Sequence, residues 1–149
     1  MKTFSTRHDV LSAFLFLAVY NAGCMTTLQL QHYAIYRSVG RESFAGYMRA
    51  NNRAAALPTI LPAMLLPLMS IAMLFYRPQF VRHAEAAGIV VLNLIALGST
   101  FTWQRRLHGE MAESGYDEAK VQRLIATNWI RTIAHLLIAV MAVAILSRR

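Results

Sequence analysis

Acidic residues are scarce in this sequence, and their positions limit what the protein can do. The chain has 7 Asp and Glu residues against 15 Lys and Arg residues, and no acidic residue falls in the core of an apolar segment. A transporter that couples protons or sodium ordinarily needs a carboxylate inside the membrane. Ion-coupled transport is therefore disfavoured, and an Arg inside the membrane would have no carboxylate partner on its neighbouring segments.

Cysteine is also nearly absent, which excludes a second set of functions. A single cysteine, Cys24, cannot form an internal disulfide or a paired-thiol redox centre. It is predicted to be a small core residue. The sequence also lacks Gly-rich phosphate loops and Ser nucleophile elbows, which argues against nucleotide chemistry and ordinary acyl hydrolysis.

Apolar residues dominate what is present. They make up 56% of the 149 residues, and the mean hydropathy of +0.39 exceeds what a soluble core of this size needs. Four apolar stretches, each near the ~20 residues of a spanning helix, cover residues 10–31, 56–76, 84–103 and 128–146. The sequence therefore predicts one all-α transmembrane domain over residues 1–149, a four-helix bundle.

The first stretch resembles a secretory signal because basic residues precede it and Ala22-Gly23-Cys24 resembles a lipoprotein cleavage site. Asn21 stands where such a site has an aliphatic residue, and the apolar run continues to Leu28. We expect this segment to remain as a membrane helix.

The formal charge of +8 is explained by the flanks of the apolar segments. Anionic lipid headgroups are the expected partners, and no nucleic-acid module accompanies the charge. Alternating helices place six basic residues on one side, Lys2, Arg7, Arg77, Arg82, Arg148 and Arg149, and eight on the other, Arg37, Arg41, Arg49, Arg53, Arg105, Arg106, Lys120 and Arg123. The difference weakly favours a cytoplasmic position for the second side, which also has the two longer connections.

Both longer connections contain helical patterns and cap the same side. The apolar spacing of Phe44, Tyr47 and Met48 predicts an amphipathic surface helix. Asp117 is a suitable helix start with Glu118 in the first turn, so the fourth helix is expected to begin near residue 117.

Prolines are concentrated in the second apolar segment, at Pro58, Pro62 and Pro67. Each proline lacks an amide donor and pushes against the preceding turn, so we expect a bent helix. The bend either opens space for a ligand or is tolerated because neighbouring helices satisfy the freed carbonyls.

Polar residues share one face on three of the four helices. At 100° per residue, one face of the first helix carries Asn21 and His32, with Gln29 at its margin. One face of the third carries Asn93 and Gln104, with His108 at its margin, and one face of the fourth carries Asn128, Arg131 and His135. Helices that alternate in direction would bring His32, Gln104, His108, Asn128 and Arg131 to the capped side, with His135 about 6 Å deeper. The sequence predicts a half-buried polar pocket there.

Arg131 is the residue most in need of explanation, since a guanidinium inside a membrane is expensive to keep. Without a carboxylate partner, its planar fork suits an anionic or carbonyl-bearing ligand. In the alternative interpretation it caps carbonyls, reaches headgroups or pairs with Glu42 or Glu110 to fix a loop.

The histidines leave three alternatives open. His32, His108 and His135 could bind a metal ion. Two of them could ligate haem if they lie at matching depth. One could act as general base toward a phenol or enol while Arg131 stabilises the oxyanion.

Several short motifs resemble those of small bacterial four-helix membrane proteins and, more distantly, the anthrone oxygenase type of membrane protein. They are His32-Tyr33, Val39-Gly40 with Phe44 and Tyr47, Ser99-Thr100 with Gln104 and His108, and Thr127-Asn128-Trp129-Ile130-Arg131-Thr132. The resemblance implies four helices in the bacterial inner membrane and, by analogy with the oxygenase type, cofactor-independent oxidation of an aromatic enol to a quinone. The chain departs from that pattern at Ala34, at Asn51 and Asn52 where a histidine is common, and at His135 where an aromatic residue is usual.

Two functional hypotheses follow. The first is a membrane-embedded oxidoreductase or binding protein for a lipophilic aromatic or quinone-like molecule. Its catalytic residues are His32, His108 and Arg131, its ligand-binding residues are Gln104, Asn128 and His135, and its cofactor is open between none, haem, metal and quinone. The second is a non-catalytic accessory subunit of a larger membrane complex, whose polar residues join helices by hydrogen bonds. Either could also self-associate.

Overall fold

The computed structural model describes residues 6–148, and Lys2 and Arg149 lie outside this range. The described chain is all-helical with no strand in it. Four helices are long and apolar enough to cross a membrane, Arg7–Ser38, Ala56–Tyr76, His83–Ser114 and Glu118–Leu146. We label them α1, α3, α4 and α5, and the short helix Phe44–Ala54 is α2.

The four predicted apolar segments are confirmed as helices, but three of them are longer than their apolar parts. α1 continues to Ser38, α4 continues to Ser114, and α5 begins at Glu118. Hydropathy marks the apolar length only, whereas a helix continues as long as its backbone hydrogen bonds and side-chain packing allow. The two longer connections are therefore mostly helical.

Asp117 confirms the predicted start of α5. Its backbone is extended, and its side-chain oxygen accepts a hydrogen bond from the backbone N–H of Lys120 at 3.1 Å. This contact satisfies one of the free donors at the helix start. The predicted helix around Phe44 and Met48 is α2, and both of these side chains are fully buried.

Each long helix packs closely against two others. α1 contacts α3 and α5, and α4 also contacts α3 and α5. A buried hydrogen bond of 2.8 Å from Asn93 to Ser70 joins α4 to α3. An ion pair of 2.7 Å between Glu85 and Arg148 joins the start of α4 to the end of α5.

Two groups of buried residues form the interior. The first core joins the start of α1, the end of α3, the start of α4 and the end of α5, and includes Phe14, Met73, Ile89 and Ile145. The cap core lies at the opposite end and contains Tyr33, Tyr36, Phe44, Met48, Leu107, Met111, Val121 and Leu124. Sequential helices therefore run in opposite directions, and α2 belongs to the cap.

Aromatic rings fix α2 in the cap. The ring of Tyr36 meets Phe44 and Tyr47 edge-on at centroid distances of 5.7 and 5.8 Å, and Phe44 meets Tyr116 at 5.1 Å. Burial raises the pKa of the Tyr47 phenol above its ordinary value. The cap is thus a packed, neutral aromatic layer rather than a loose loop.

Candidate functional site

A pocket of 740 Å³ lies just beneath the cap. Its lining comes from all five helices. The polar side chains in the lining are His32, Tyr33, Asn51, Asn52, Thr59, Thr100, Gln104, Arg105, His108 and Arg131. The apolar part of the lining includes Leu28, Ile60, Met64 and Phe101. The combination suits a mostly apolar molecule with a few oxygen atoms.

Three π-helical turns surround this pocket. They are Leu28–His32 in α1, Ala56–Ile60 in α3 and Thr100–Gln104 in α4, and each contributes side chains to the lining. A π turn holds one more residue than an α turn and widens the helix, and such turns are frequent at functional sites. Three of them around one pocket make this end of the molecule distinct from the regular first core.

Arg131 lies at the pocket and is 7% exposed. Its Nη2 atom donates to the sulfur of Met25 at 3.2 Å, a weak acceptor. Its Nε atom is buried without a hydrogen-bond partner among the residues that the structure describes. The guanidinium therefore keeps donor capacity that the described protein atoms leave unused.

No ion pair within residues 6–148 includes Arg131. Glu110 binds Arg106 at 2.7 Å and Lys120 at 3.3 Å instead, and Glu42 is exposed. The interpretation in which Arg131 pairs with Glu42 or Glu110 is therefore wrong. Arg131 also makes no hydrogen bond to a main-chain carbonyl in this part of the chain.

The electrostatic character of the pocket is basic. Arg105 and Arg131 both line it, and no acidic side chain of the described residues does. Arg105 is exposed and Arg131 is buried, so one cation lies at the outer rim and the other inside. This arrangement favours a ligand with negative charge or with carbonyl and phenolic oxygens.

His32 and His108 both line the pocket, as predicted, and each approaches a tyrosine. The Nε2 atom of His32 lies 3.4 Å from the Tyr36 hydroxyl, and the Nε2 atom of His108 lies 3.5 Å from the Tyr33 hydroxyl. The Nδ1 atom of His108 is buried and has no partner within the described range. His108 thus has a buried ring nitrogen whose hydrogen-bonding capacity the described residues leave unused.

Gln104 has a divided role. Its Nε2 atom donates to Thr127 Oγ1 at 2.9 Å and to the Leu124 carbonyl at 3.3 Å, which joins α4 to α5. Its Oε1 atom is buried with no hydrogen-bond partner in residues 6–148. The residue lines the pocket but is already oriented by the protein.

Asn128 and His135 are not among the lining residues, although both were predicted to bind a ligand. Asn128 is fully buried and donates to Gln29 Oε1 at 2.8 Å and to Thr132 Oγ1 at 3.2 Å. His135 is 3% exposed. Of the five residues expected to converge, four line the pocket, and Asn128 instead joins α5 to α1.

The three histidines do not form a metal site. No group of three or more His, Cys, Asp or Glu side chains comes together anywhere in the described chain. The interpretation of His32, His108 and His135 as a shared set of metal ligands finds no support in the geometry.

Several residues that line the pocket were not predicted from the sequence as site residues. Asn51, Asn52, Thr59 and Arg105 lie outside the three polar faces that were considered, although all line the pocket. A signal existed for Asn51 and Asn52, because the resemblance described above places a histidine there. Both side chains reach the pocket because they lie on α2 about one turn after Met48, which is buried in the cap core.

Comparison with protein families, with curated proteins and with solved structures finds no match to this chain. The resemblance to small bacterial membrane proteins therefore stays a prediction.

Proposed function

We propose that this chain is an integral membrane four-helix bundle of the bacterial inner membrane. Large apolar side chains on the outer faces of all four long helices support the proposal, among them Phe16 at 68%, Leu68 at 61%, Leu94 at 58% and Val140 at 64% exposure. Water does not tolerate so wide an apolar surface, whereas lipid tails do. The cap would face the cytoplasm under the positive-inside bias.

Within that bundle, we propose that the pocket binds a lipophilic aromatic or quinone-like molecule. One observation carries this proposal: Arg131 is buried against a 740 Å³ pocket with no carboxylate partner and an unused Nε donor in the described chain. An isolated charge in the membrane is costly, and such a residue is a functional-site hypothesis by default. A phenolate, enolate or quinone oxygen would supply the missing acceptor.

The pocket residues also support proton chemistry on such a ligand. We propose that His108, or His32 beside it, accepts the proton of a bound phenol or enol while Arg131 stabilises the oxyanion. With dioxygen as oxidant, one anthrone and one O₂ yield one anthraquinone and one water. The tyrosine contact of each histidine would hold its ring in position.

The test compares wild-type protein with Arg131→Leu and Arg131→Lys in lipid nanodiscs, using a dihydroxyanthraquinone as the binding probe. Loss of a charge-assisted hydrogen bond of about 1.5–3 kcal/mol predicts at least tenfold weaker binding for Arg131→Leu. Arg131→Lys should keep part of the affinity, because it retains the charge but loses the planar fork. Arg123→Leu, which removes a charge from an exposed position of the same helix, is the matched control.

Turnover is a separate measurement. Oxygen consumption and quinone absorbance with anthrone should fall in His108→Ala while probe binding persists. Binding without turnover in the wild type would identify a binding protein. Equal probe affinity in the wild type and Arg131→Leu would reject the proposed site.

The accessory-subunit function remains the second candidate, because interhelical hydrogen bonds are present. Asn128 binds Gln29, and Asn93 binds Ser70. Native mass spectrometry from a mild detergent separates the two functions. A chain that retains a small lipophilic molecule supports the first, and a chain that keeps its fold only with a larger partner supports the second.

A further inference from the structure

The π turn of α3 is attached to α1. Three side chains of α1 contact this part of α3: Tyr20 Oη donates to the Pro58 carbonyl at 2.8 Å, Asn21 Nδ2 donates to the Pro62 carbonyl at 3.1 Å, and Cys24 Sγ lies 3.7 Å from Thr59 Oγ1. Because Pro62 has no N–H, the Pro58 carbonyl lacks its normal α-helical donor, and Tyr20 replaces that donor.

In the described chain, the π turn of α4 is joined to α5 and not to α1. Gln104 donates to Thr127 Oγ1 and to the Leu124 carbonyl, and Ser99 Oγ donates to the Thr127 carbonyl at 3.3 Å. α3 and α4 pack closely over Leu61–Tyr76 and His83–Ser99. Their π turns are not part of that close packing, and no side-chain hydrogen bond within the described chain joins the two turns. We call this loosely packed boundary between Ala56–Ile60 and Thr100–Gln104 the seam; it lies at the level of the pocket.

The cap restricts the route from the aqueous side. α2 packs against the last part of α4, where Arg49 Nη1 donates to the Ala112 carbonyl at 2.9 Å and Asn52 Nδ2 approaches the His108 carbonyl at 3.5 Å. These contacts hold α2 across the capped end. No such hydrogen bond bridges the seam between the π turns of α3 and α4 within residues 6–148.

The side chains at the seam belong to the pocket and to the outer surface together. Ile60 and Phe101 both line the pocket, and they are 50% and 56% exposed. Both are apolar, so they suit contact with lipid tails. Arg105 lies one residue after the π turn of α4, lines the pocket and is exposed.

We propose that a lipophilic acid dissolved in the bilayer enters the pocket laterally, through the seam between the π turns of α3 and α4. The acid contacts Arg105 at the rim of the pocket and Arg131 inside it. This inference rests on the proposed membrane position and ligand pocket, and it adds the route and the charge of the ligand. A hydrated anion from water would have to pass the cap, whereas an amphiphile in the bilayer passes only Ile60 and Phe101. The absence of acidic lining residues in the described chain removes any repulsion of the acid.

The first experiment tests the route without any ligand. An apolar aryl diazirine dissolved in the bilayer is photolysed, and the labelled residues are mapped by mass spectrometry. Label is expected on Met64 and Leu28, two lining residues that are only partly exposed. Ile60→Trp, which fills the seam, should reduce this label severalfold, whereas Leu68→Trp, the same change on the outer face of α3, should not.

The second experiment measures loading rates of a dihydroxyanthraquinone from preloaded vesicles. Ile60→Trp should slow both association and dissociation about tenfold, because a narrowed route raises the barrier for entry and for exit, whereas Leu68→Trp should leave both rates at their wild-type values. Arg49→Ala loosens the cap instead, because it removes the hydrogen bond from Arg49 to the Ala112 carbonyl. Arg49 is exposed and is not a lining residue, so this variant should fold and its loading rates should match the wild type.

The outcomes separate the two proposals. If Met64 and Leu28 stay unlabelled, or if Arg49→Ala speeds loading while Ile60→Trp leaves it unchanged, lateral loading is overturned even when the probe binds. If the diazirine enters but the wild type binds no probe, the proposed ligand fails while the lateral opening stands.

Discussion

The guanidinium of Arg131 and the thioether of Met25 meet at 3.2 Å across the contact between α5 and α1. A sulfur atom is a poor acceptor for a cation that has left water. Arg131 therefore lacks a strong hydrogen-bond acceptor within the described chain. Its replacement should raise the stability of the folded protein and weaken ligand binding.

Arg131→Leu is expected to make the folded protein more stable. Removing a charge that lacks a counter-ion in the described chain relieves a penalty of about 1–3 kcal/mol. Unfolding from mixed micelles with increasing SDS, followed by circular dichroism, measures the change. A clear loss of stability would instead assign Arg131 a structural role and weaken the ligand proposal.

Tyr20→Phe tests whether the tyrosine replaces the donor that Pro62 lacks. The loss of its hydroxyl should cost about 1 kcal/mol in the wild-type background. In a Pro62→Ala background the new amide can donate to the Pro58 carbonyl, so the same change should cost close to nothing. The difference between the two costs, obtained from a double-mutant cycle in SDS unfolding, is the measurement.

Asn128 and Gln29 should be coupled in stability but not in ligand binding. Interhelical hydrogen bonds in membranes average about 0.6 kcal/mol in double-mutant cycles, and we expect a coupling of that size between Asn128→Leu and Gln29→Leu. Gln31→Leu, at an exposed position of α1, is the control. Strong loss of probe binding in Asn128→Leu, with the fold intact, would return this residue to the site.

Asp117→Ala should weaken the start of α5. The lost N-cap costs about 1 kcal/mol, and Asp117→Asn should retain most of it because the amide oxygen still accepts the Lys120 N–H. Faster amide hydrogen exchange confined to the first turns of α5 would report the effect. Unchanged exchange in the alanine variant would show that packing alone fixes this helix start.

The apolar segments and the Asp117 cap were predictable because they depend on local composition and on one side chain. The convergence of His32, Gln104, His108 and Arg131 followed from helical periodicity and alternating direction. The assignment of residues to helix faces failed near the π turns, because it assumed a rotation of 100° per residue throughout each helix. Gln29 was placed at the margin of its face, yet it is buried and bonded to Asn128.

The roles of Asn128 and of α2 could not be predicted, because both depend on which helices become neighbours. Asn128 meets an acceptor that lies 99 residues earlier in the chain. α2 supplies Asn51 and Asn52 to the pocket only because Phe44 and Met48 are buried in the cap core. Such contacts between distant parts of the chain are not visible in local patterns.

The π turns of α1 and α4 lie between the two cores of the molecule. In α1 and α4 the first core lies before the turn and the cap core lies after it, whereas the π turn of α3 is the start of that helix. Because a π turn holds one residue more than an α turn, deleting one residue from 28–32 or 100–104 would restore α geometry and leave the residues beyond it close to their present faces. A deletion within an α-helical segment would rotate them by about 100°. One residue could therefore be removed from either π turn with both cores kept in place, and the change would fall on the wide turn that lines the pocket.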